Sequence, residues 1–168
     1  LVLRDNPLKT LGHLELGVQQ PLQLIDLTNC HLRHTVSGLP RTIDDLRLAE
    51  NSIKNISRDS FQSSKHIRLL VLTSNAIDNI EDGAFEHLAQ LHALYLGGNR
   101  LTSIPSDLPR SLNALYLAFN NITHLHRYQL SRCTELQHLI LSQNRIEAVD
   151  SRGLRGLEKL QTLDLSYN

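Results

Sequence analysis

Apolar residues recur along this chain in one fixed phrase. Aliphatic side chains stand at its first, fourth, sixth and eleventh places, and a small polar residue holds the ninth. LHALYLGGNRL (residues 91–101) is a clean copy, and LNALYLAFNNI (112–122), LQHLILSQNRI (136–146) and IRLLVLTSNAI (67–77) match it closely. IDDLRLAENSI (43–53) and LQLIDLTNCHL (22–32) are two more, while LVLRDNPL at the start and LQTLDLSYN at the end are partial copies. The ninth-place residues are Asn6, Cys30, Asn51, Asn75, Asn99, Asn120, Asn144 and Asn168, separated by 24, 21, 24, 24, 21, 24 and 24 residues.

Eight frames in register define a leucine-rich repeat. Two aliphatic residues alternating with variable ones predict a short strand with one buried face. A single repeat cannot bury that face, so the frames must stack in parallel around a continuous core. The expected fold is an α/β leucine-rich repeat solenoid, a horseshoe formed by residues 1–168 as one array. Its concave side should carry a parallel sheet of about eight short strands, roughly 34 Å long at the usual strand separation. Its convex side should be mostly irregular, with little helix and with core points such as Ile80, Phe85 and Leu88. The ninth-place Asn can both donate to and accept from backbone where the chain leaves the strand. A column of such residues then satisfies polar groups that would otherwise be buried unpaired. Cys30 occupies one of these places as a small, weakly donating substitute.

The two 21-residue frames share a second phrase, LPRTI at 39–43 and LPRSL at 108–112. Both have three residues fewer with which to cross the convex side. Pro fixes φ and disfavours helix in the residue before it. An extended crossing covers more distance per residue than a helical one, so a shorter segment suffices.

Function in a solenoid is sought on the concave sheet. The residue between the two strand aliphatics forms a column of Val2, Asp26, Arg47, Val71, Tyr95, Tyr116, Ile140 and Asp164, with charge towards the ends and an apolar middle. The preceding column adds Leu69, Ala93, Ala114 and His138, and the following one adds Thr73, Gly97, Ala118 and Ser142. β-Branched and aromatic residues suit strands on general grounds. A contiguous apolar patch rimmed by charge is nevertheless the usual mark of an interaction site. The candidate partner-binding residues are therefore Arg47, Leu69, Val71, Tyr95, Tyr116, His138 and Ile140. Small neighbours should leave both Tyr rings accessible.

Composition narrows the chemistry. Lys plus Arg and Asp plus Glu number 17 each, which gives no reason to expect a nucleic-acid partner or an anionic membrane surface. No apolar run approaches a spanning helix, so no membrane insertion is expected in this segment. Nine His are present. The nearest groupings, His31/His34, His87/His92 and His124/His126, combine with no Cys, Asp or Glu in a ligand spacing, so no metal and no cofactor is expected. No nucleophile elbow or phosphate loop appears, so no catalytic residue and no enzyme activity is expected. Cys30 and Cys133 should lie about four repeats, roughly 20 Å, apart, too far for a disulfide. Asn55-Ile-Ser57 and Asn121-Ile-Thr123 are N-glycosylation sequons placed where the chain leaves the strand. No disulfide-tied cap is visible, which reads as a fragment of a longer array lacking both caps.

The short-long-long cadence of frames, with IPSDLPRSL (104–112) opening a short one, resembles the small leucine-rich repeat proteoglycans of the decorin-like and nephrocan-like type. That resemblance implies a non-enzymatic, secreted glycoprotein of the extracellular space or matrix. It implies binding of collagen, other matrix proteins or growth factors through the concave face. Some members pair through that face, so a homodimer is one arrangement the resemblance implies. The stretch GAFEHLAQLHALYLGGNRL (83–101) would equally suit a second reading, the ectodomain of a Toll-like or similar leucine-rich repeat receptor. A cytosolic repeat scaffold is a third reading and predicts no glycans.

Overall fold

The computed structural model describes residues 1–11, 21–150 and 152–168. Seven three-residue strands form one parallel sheet: Leu24–Asp26, Asp45–Arg47, Leu69–Val71, Ala93–Tyr95, Ala114–Tyr116, His138–Ile140 and Thr162–Asp164. They are neighbours in chain order, as a solenoid requires. An isolated parallel bridge from Val2 to Asp26 adds the eighth frame at the N-terminal edge. The middle residue of each strand from Ile25 to Leu139 is fully buried. Leu163, in the last of these strands, is 37% exposed.

Each coil is stapled to the one before it by its ninth-place Asn. Asn51 Oδ1 accepts from the backbone N–H of Cys30 (3.0 Å) and Leu32 (2.9 Å), both in the preceding frame. Its Nδ2 donates to the carbonyls of Leu27 (2.9 Å), Leu48 (3.0 Å) and Ala49 (2.9 Å). Asn75, Asn99, Asn120, Asn144 and Asn168 each repeat the scheme, accepting from Ile53, Ile77, Leu101, Ile122 and Ile146 respectively. Asn6, in the first frame, donates to Leu3 and Arg4 carbonyls. Cys30 supplies the donor half, to the Leu3 and Thr28 carbonyls. Its thiol points to the Leu3 carbonyl at 3.0 Å, and burial pushes it above its ordinary pKa.

The residue before each ladder position adopts a left-handed conformation in every frame. φ is +62° at Asp5, +53° at Asn29, +55° at Glu50, +55° at Ser74, +66° at Gly98, +57° at Phe119, +57° at Gln143 and +55° at Tyr167. This is where the chain turns off the strand. Only one of the eight is glycine. The others accept a local cost of about 1–2 kcal/mol that the ladder must offset.

The convex side carries no α-helix among the described residues. The helical half of the expected α/β class reduces there to one 3₁₀ turn, Arg58–Phe61, among tight turns. Coils of 24 residues pair a second time, through Asn55–Ile56 with Asn79–Ile80 and through His124–Leu125 with Ala148–Val149. The equivalent residues of the short coils, His34–Thr35 and Ser103–Ile104, make no such strand. Pro105 follows directly in the second of these and has no N–H to give a ladder. Phe61 and Phe85 stack at 6.2 Å between centroids, Leu88 is buried, and Ile80 is half-buried against the same core.

The Pro-Arg phrase closes the short crossings. Leu39 and Leu108 are buried while Arg41 and Arg110 are exposed. The next residue's hydroxyl reaches back to the preceding coil, with Thr42 Oγ1 donating to the Leu22 carbonyl (2.7 Å) and Ser111 Oγ to that of Leu91 (2.8 Å). Cys133 lies in the convex core, free like Cys30, with its thiol pushed up to about 11 by burial.

Candidate functional site

The sheet register sets the concave columns. Asp26, Arg47, Val71, Tyr95, Tyr116, Ile140 and Asp164 are successive partners across the strands, and Leu69, Ala93, Ala114 and His138 form the column beside them. Tyr95 and Tyr116 fall side by side because their two identical Ala-Leu-Tyr strands are neighbours in register. Their rings stack at 4.4 Å between centroids, with planes within 6°. Both are half-buried rather than freely standing, since each ring covers one face of the other. Burial pushes the Tyr95 phenol above its ordinary pKa, and the neighbouring Tyr116 adds to the shift.

Val71 and Ile140 flank the pair, and both are half-buried. Leu69 and His138 stand one column over, also half-buried, with His138 Nδ1 3.2 Å from Thr162 Oγ1. Small residues line the other side. At Gly97 an added Cβ would meet the Ala118 carbonyl at 3.3 Å. Six of the seven candidate residues, all but Arg47, thus form one apolar-to-aromatic surface.

The charged ends behave differently. Arg47 is engaged by Asp45 of its own strand through a two-pronged contact, Nε to Oδ1 at 3.0 Å and one terminal nitrogen to Oδ2 at 2.8 Å. That fork holds the Arg47 charge in place and occupies the face a carboxylate ligand would need. Asp26 is buried and ion-paired with Arg4. Burial pushes its carboxyl up, but the Arg4 and Thr28 hydrogen bonds outweigh this and hold it below the usual range. Asp164 stays exposed enough to act as a rim charge. The Ser166 hydroxyl and N–H hold it below its ordinary value.

Phe119 was not reached by reading the strand columns. It is 63% exposed at the left-handed position just beyond Tyr116, where other frames place Glu50, Ser74, Gly98 and Gln143. A Phe at a column whose other members are polar, Tyr167 included, or glycine was the available signal.

The sequons lie away from this surface. Asn55 is exposed and Asn121 half-buried. His124 and His126 stack at 5.5 Å on the outer edge, and no group of three or more His, Cys, Asp or Glu stands together among the described residues. No helix among the described residues is long and apolar enough to cross a membrane.

The family model described as leucine rich repeat matches residues 41–101 and 110–168. Lumican of Rattus norvegicus is 34% identical over 152 residues, covering 88% of this chain and 44% of lumican. Asporin of Bos taurus is 29% identical over 132 residues, covering 78% of this chain and 36% of asporin. A chain in the crystal structure of the TLR13–ssRNA13 complex superposes with a TM-score of 0.82 at 31% identity, covering 88% of this chain and 22% of that one. The chain therefore spans less than half the length of each of these relatives.

Proposed function

The chain belongs to the leucine-rich repeat family, with small leucine-rich repeat proteoglycans among its relatives, and from that premise we propose that it is an extracellular protein-binding module of the matrix. Its partner is a matrix protein such as collagen, or a growth factor, held on the concave face. The observation that carries this reading is the stacked Tyr95–Tyr116 pair, flanked by Val71 and Ile140. Stacked rings are already ordered, so a partner gains aromatic contact area at little cost in side-chain entropy. Hot spots at interfaces are enriched in Tyr and sit at the centre of such patches. Leu69 and His138 extend the contact. Arg47 plays a lesser part, because its charge is spent on Asp45.

The test is binding to immobilised fibrillar collagen and to a defined panel of matrix proteins and growth factors. Wild type should bind at least one of them, and Y95A/Y116A should bind it about 10–100-fold more weakly while melting as a folded protein. Failure of wild type to bind any of them, or full binding by a folded double variant, would overturn the reading.

The extracellular assignment has its own check. Secretion from cultured cells should give glycan at Asn55, the exposed sequon, and a mass loss on glycosidase treatment that N55Q reduces. The receptor reading is favoured by the TLR13 similarity. A membrane-spanning segment following the repeats in the complete gene product would establish it over the matrix protein.

A further inference from the structure

We infer that the edge on which the chain enters the strands is a binding site for a sulfated polysaccharide, separate from the concave face. Two adjoining grooves, each of about 510 Å³, run along this edge and share Arg41 and His66. The first is completed by Gln62, Ser63 and Lys65. The second extends through Arg68 and Asp44 towards Gln23 and Gln90.

The repeat explains the clustering. Arg41 and Lys65 each stand ten residues before their ladder Asn, so they occupy the same place on consecutive coils. Strand spacing sets such residues about 5 Å apart along the array. Arg68 lies three residues beyond Lys65 on the same coil. Three cations therefore face two grooves that hold, among the described residues, one carboxylate, Asp44. Arg41, Lys65 and Arg68 are all exposed, and none makes an ion pair with the described residues. Some cations elsewhere are paired: Arg132 faces Glu86 and Asp107, and Lys159 faces Glu135. The groove on the opposite edge has the opposite character, with Asp78 and Asp82 and no Lys or Arg. A chain of zero formal net charge is thus locally polarised.

The chemistry of the lining selects among polyanions. Arg presents a planar fork that matches sulfate oxygens, and Lys adds a point charge. Gln62, Ser63 and Gln90 offer neutral donors and acceptors suited to sugar hydroxyls. No Phe, Tyr or Trp lines either groove, so there is no platform on which the bases of a single-stranded nucleic acid would stack. Pro21 is the one wholly apolar side chain in the lining among the described residues, too little to anchor a lipid surface. An open, extended edge favours a linear chain over a small anion.

The test is binding of a heparin oligosaccharide of defined length at physiological salt. Its desulfated counterpart, a single-stranded DNA oligonucleotide and phosphatidylserine vesicles are the competing probes. Wild type should bind the sulfated oligosaccharide most tightly and lose it as salt rises. R41Q/K65Q/R68Q should bind about tenfold or more weakly, because each lost contact removes a screened charge interaction. R100Q/R127Q/R145Q removes the same charge from exposed positions elsewhere and should change binding less than about twofold. In the wild-type protein, the oligosaccharide should also protect the amides of residues 62–68 from exchange, which tests the site without any substitution. Y95A/Y116A should bind it as wild type does, so this proposal and the concave-face reading fail separately. No binding by wild type, equal loss in both triple variants, tighter binding of DNA or vesicles, or protection elsewhere would overturn it.

Discussion

The concave and convex halves of each coil solve the same burial problem under different constraints. On the concave half the seven frames from Leu24 onward repeat one geometry: a three-residue strand, a left-handed turn residue and a ladder side chain stapled to the coil before it. On the convex half no two neighbouring classes of coil agree. Long coils add a second short strand and a tight turn, while short ones cross with Pro and a hydroxyl bridge. The difference teaches that hydrogen bonding, with fixed direction and count, sets the repeat. Apolar filling, which has neither, tolerates its variation.

The largest expected effect comes from breaking the regular half. Asn99→Ala would orphan the buried Ile77 N–H and take one of two donors from the Leu72 and Leu96 carbonyls, which keep Asn75 and Asn120. At about 1–3 kcal/mol for the unsatisfied buried N–H, with the two lost carbonyl bonds adding to it, a loss of about 3 kcal/mol is expected in urea denaturation. A loss below about 1 kcal/mol would mean that packing, not the ladder, sets the repeat.

The convex half should instead be improvable. Ser64 occupies the core place filled by Leu88 and Cys133 in other long coils, and its buried hydroxyl has no hydrogen-bond partner. Ser64→Ala should raise stability by about 1 kcal/mol, read as a higher denaturation midpoint. A destabilised variant would show that the hydroxyl is satisfied after all.

A smaller effect separates the N-terminal edge from the interior. Asp26 has a folded pKa below its ordinary value of 3.8. Its contribution is therefore fully present above that value and is lost as pH falls through the lower folded one. Arg4 is about half exposed, so screening keeps the contribution below about 1 kcal/mol. Asp26→Asn should flatten the acid limb of the stability curve, and an unchanged limb would remove the ion pair from the account.

The strand columns were legible because the alternation of Leu46, Leu70, Leu94 and Leu115 with variable residues has a period that only a one-sided strand explains. The ladder was legible from the chemistry of Asn alone. What the sequence concealed depends on contacts across coils. The Thr42 and Ser111 bridges span 20 residues, so no local pattern announces them. The Asp45–Arg47 pair was readable in principle, because residues two apart in a strand share a face. Its neutralising effect on Arg47 was missed because the residues were read column by column. The basic edge was hidden by a net charge of zero, which averages over a surface that is not uniform.

The concave face is regular in backbone and singular in side chains at one place, the Tyr95–Tyr116 stack, and that is where the account puts its partner. The direct measurement is equilibrium binding of wild type and Y95A/Y116A to immobilised fibrillar collagen and the defined panel of matrix proteins and growth factors, with thermal melts of both proteins in parallel. The account predicts binding by wild type and a loss of about 10–100-fold in a double variant that still melts cooperatively. Undiminished binding by that folded variant, or no binding by wild type to any member of the panel, would contradict it.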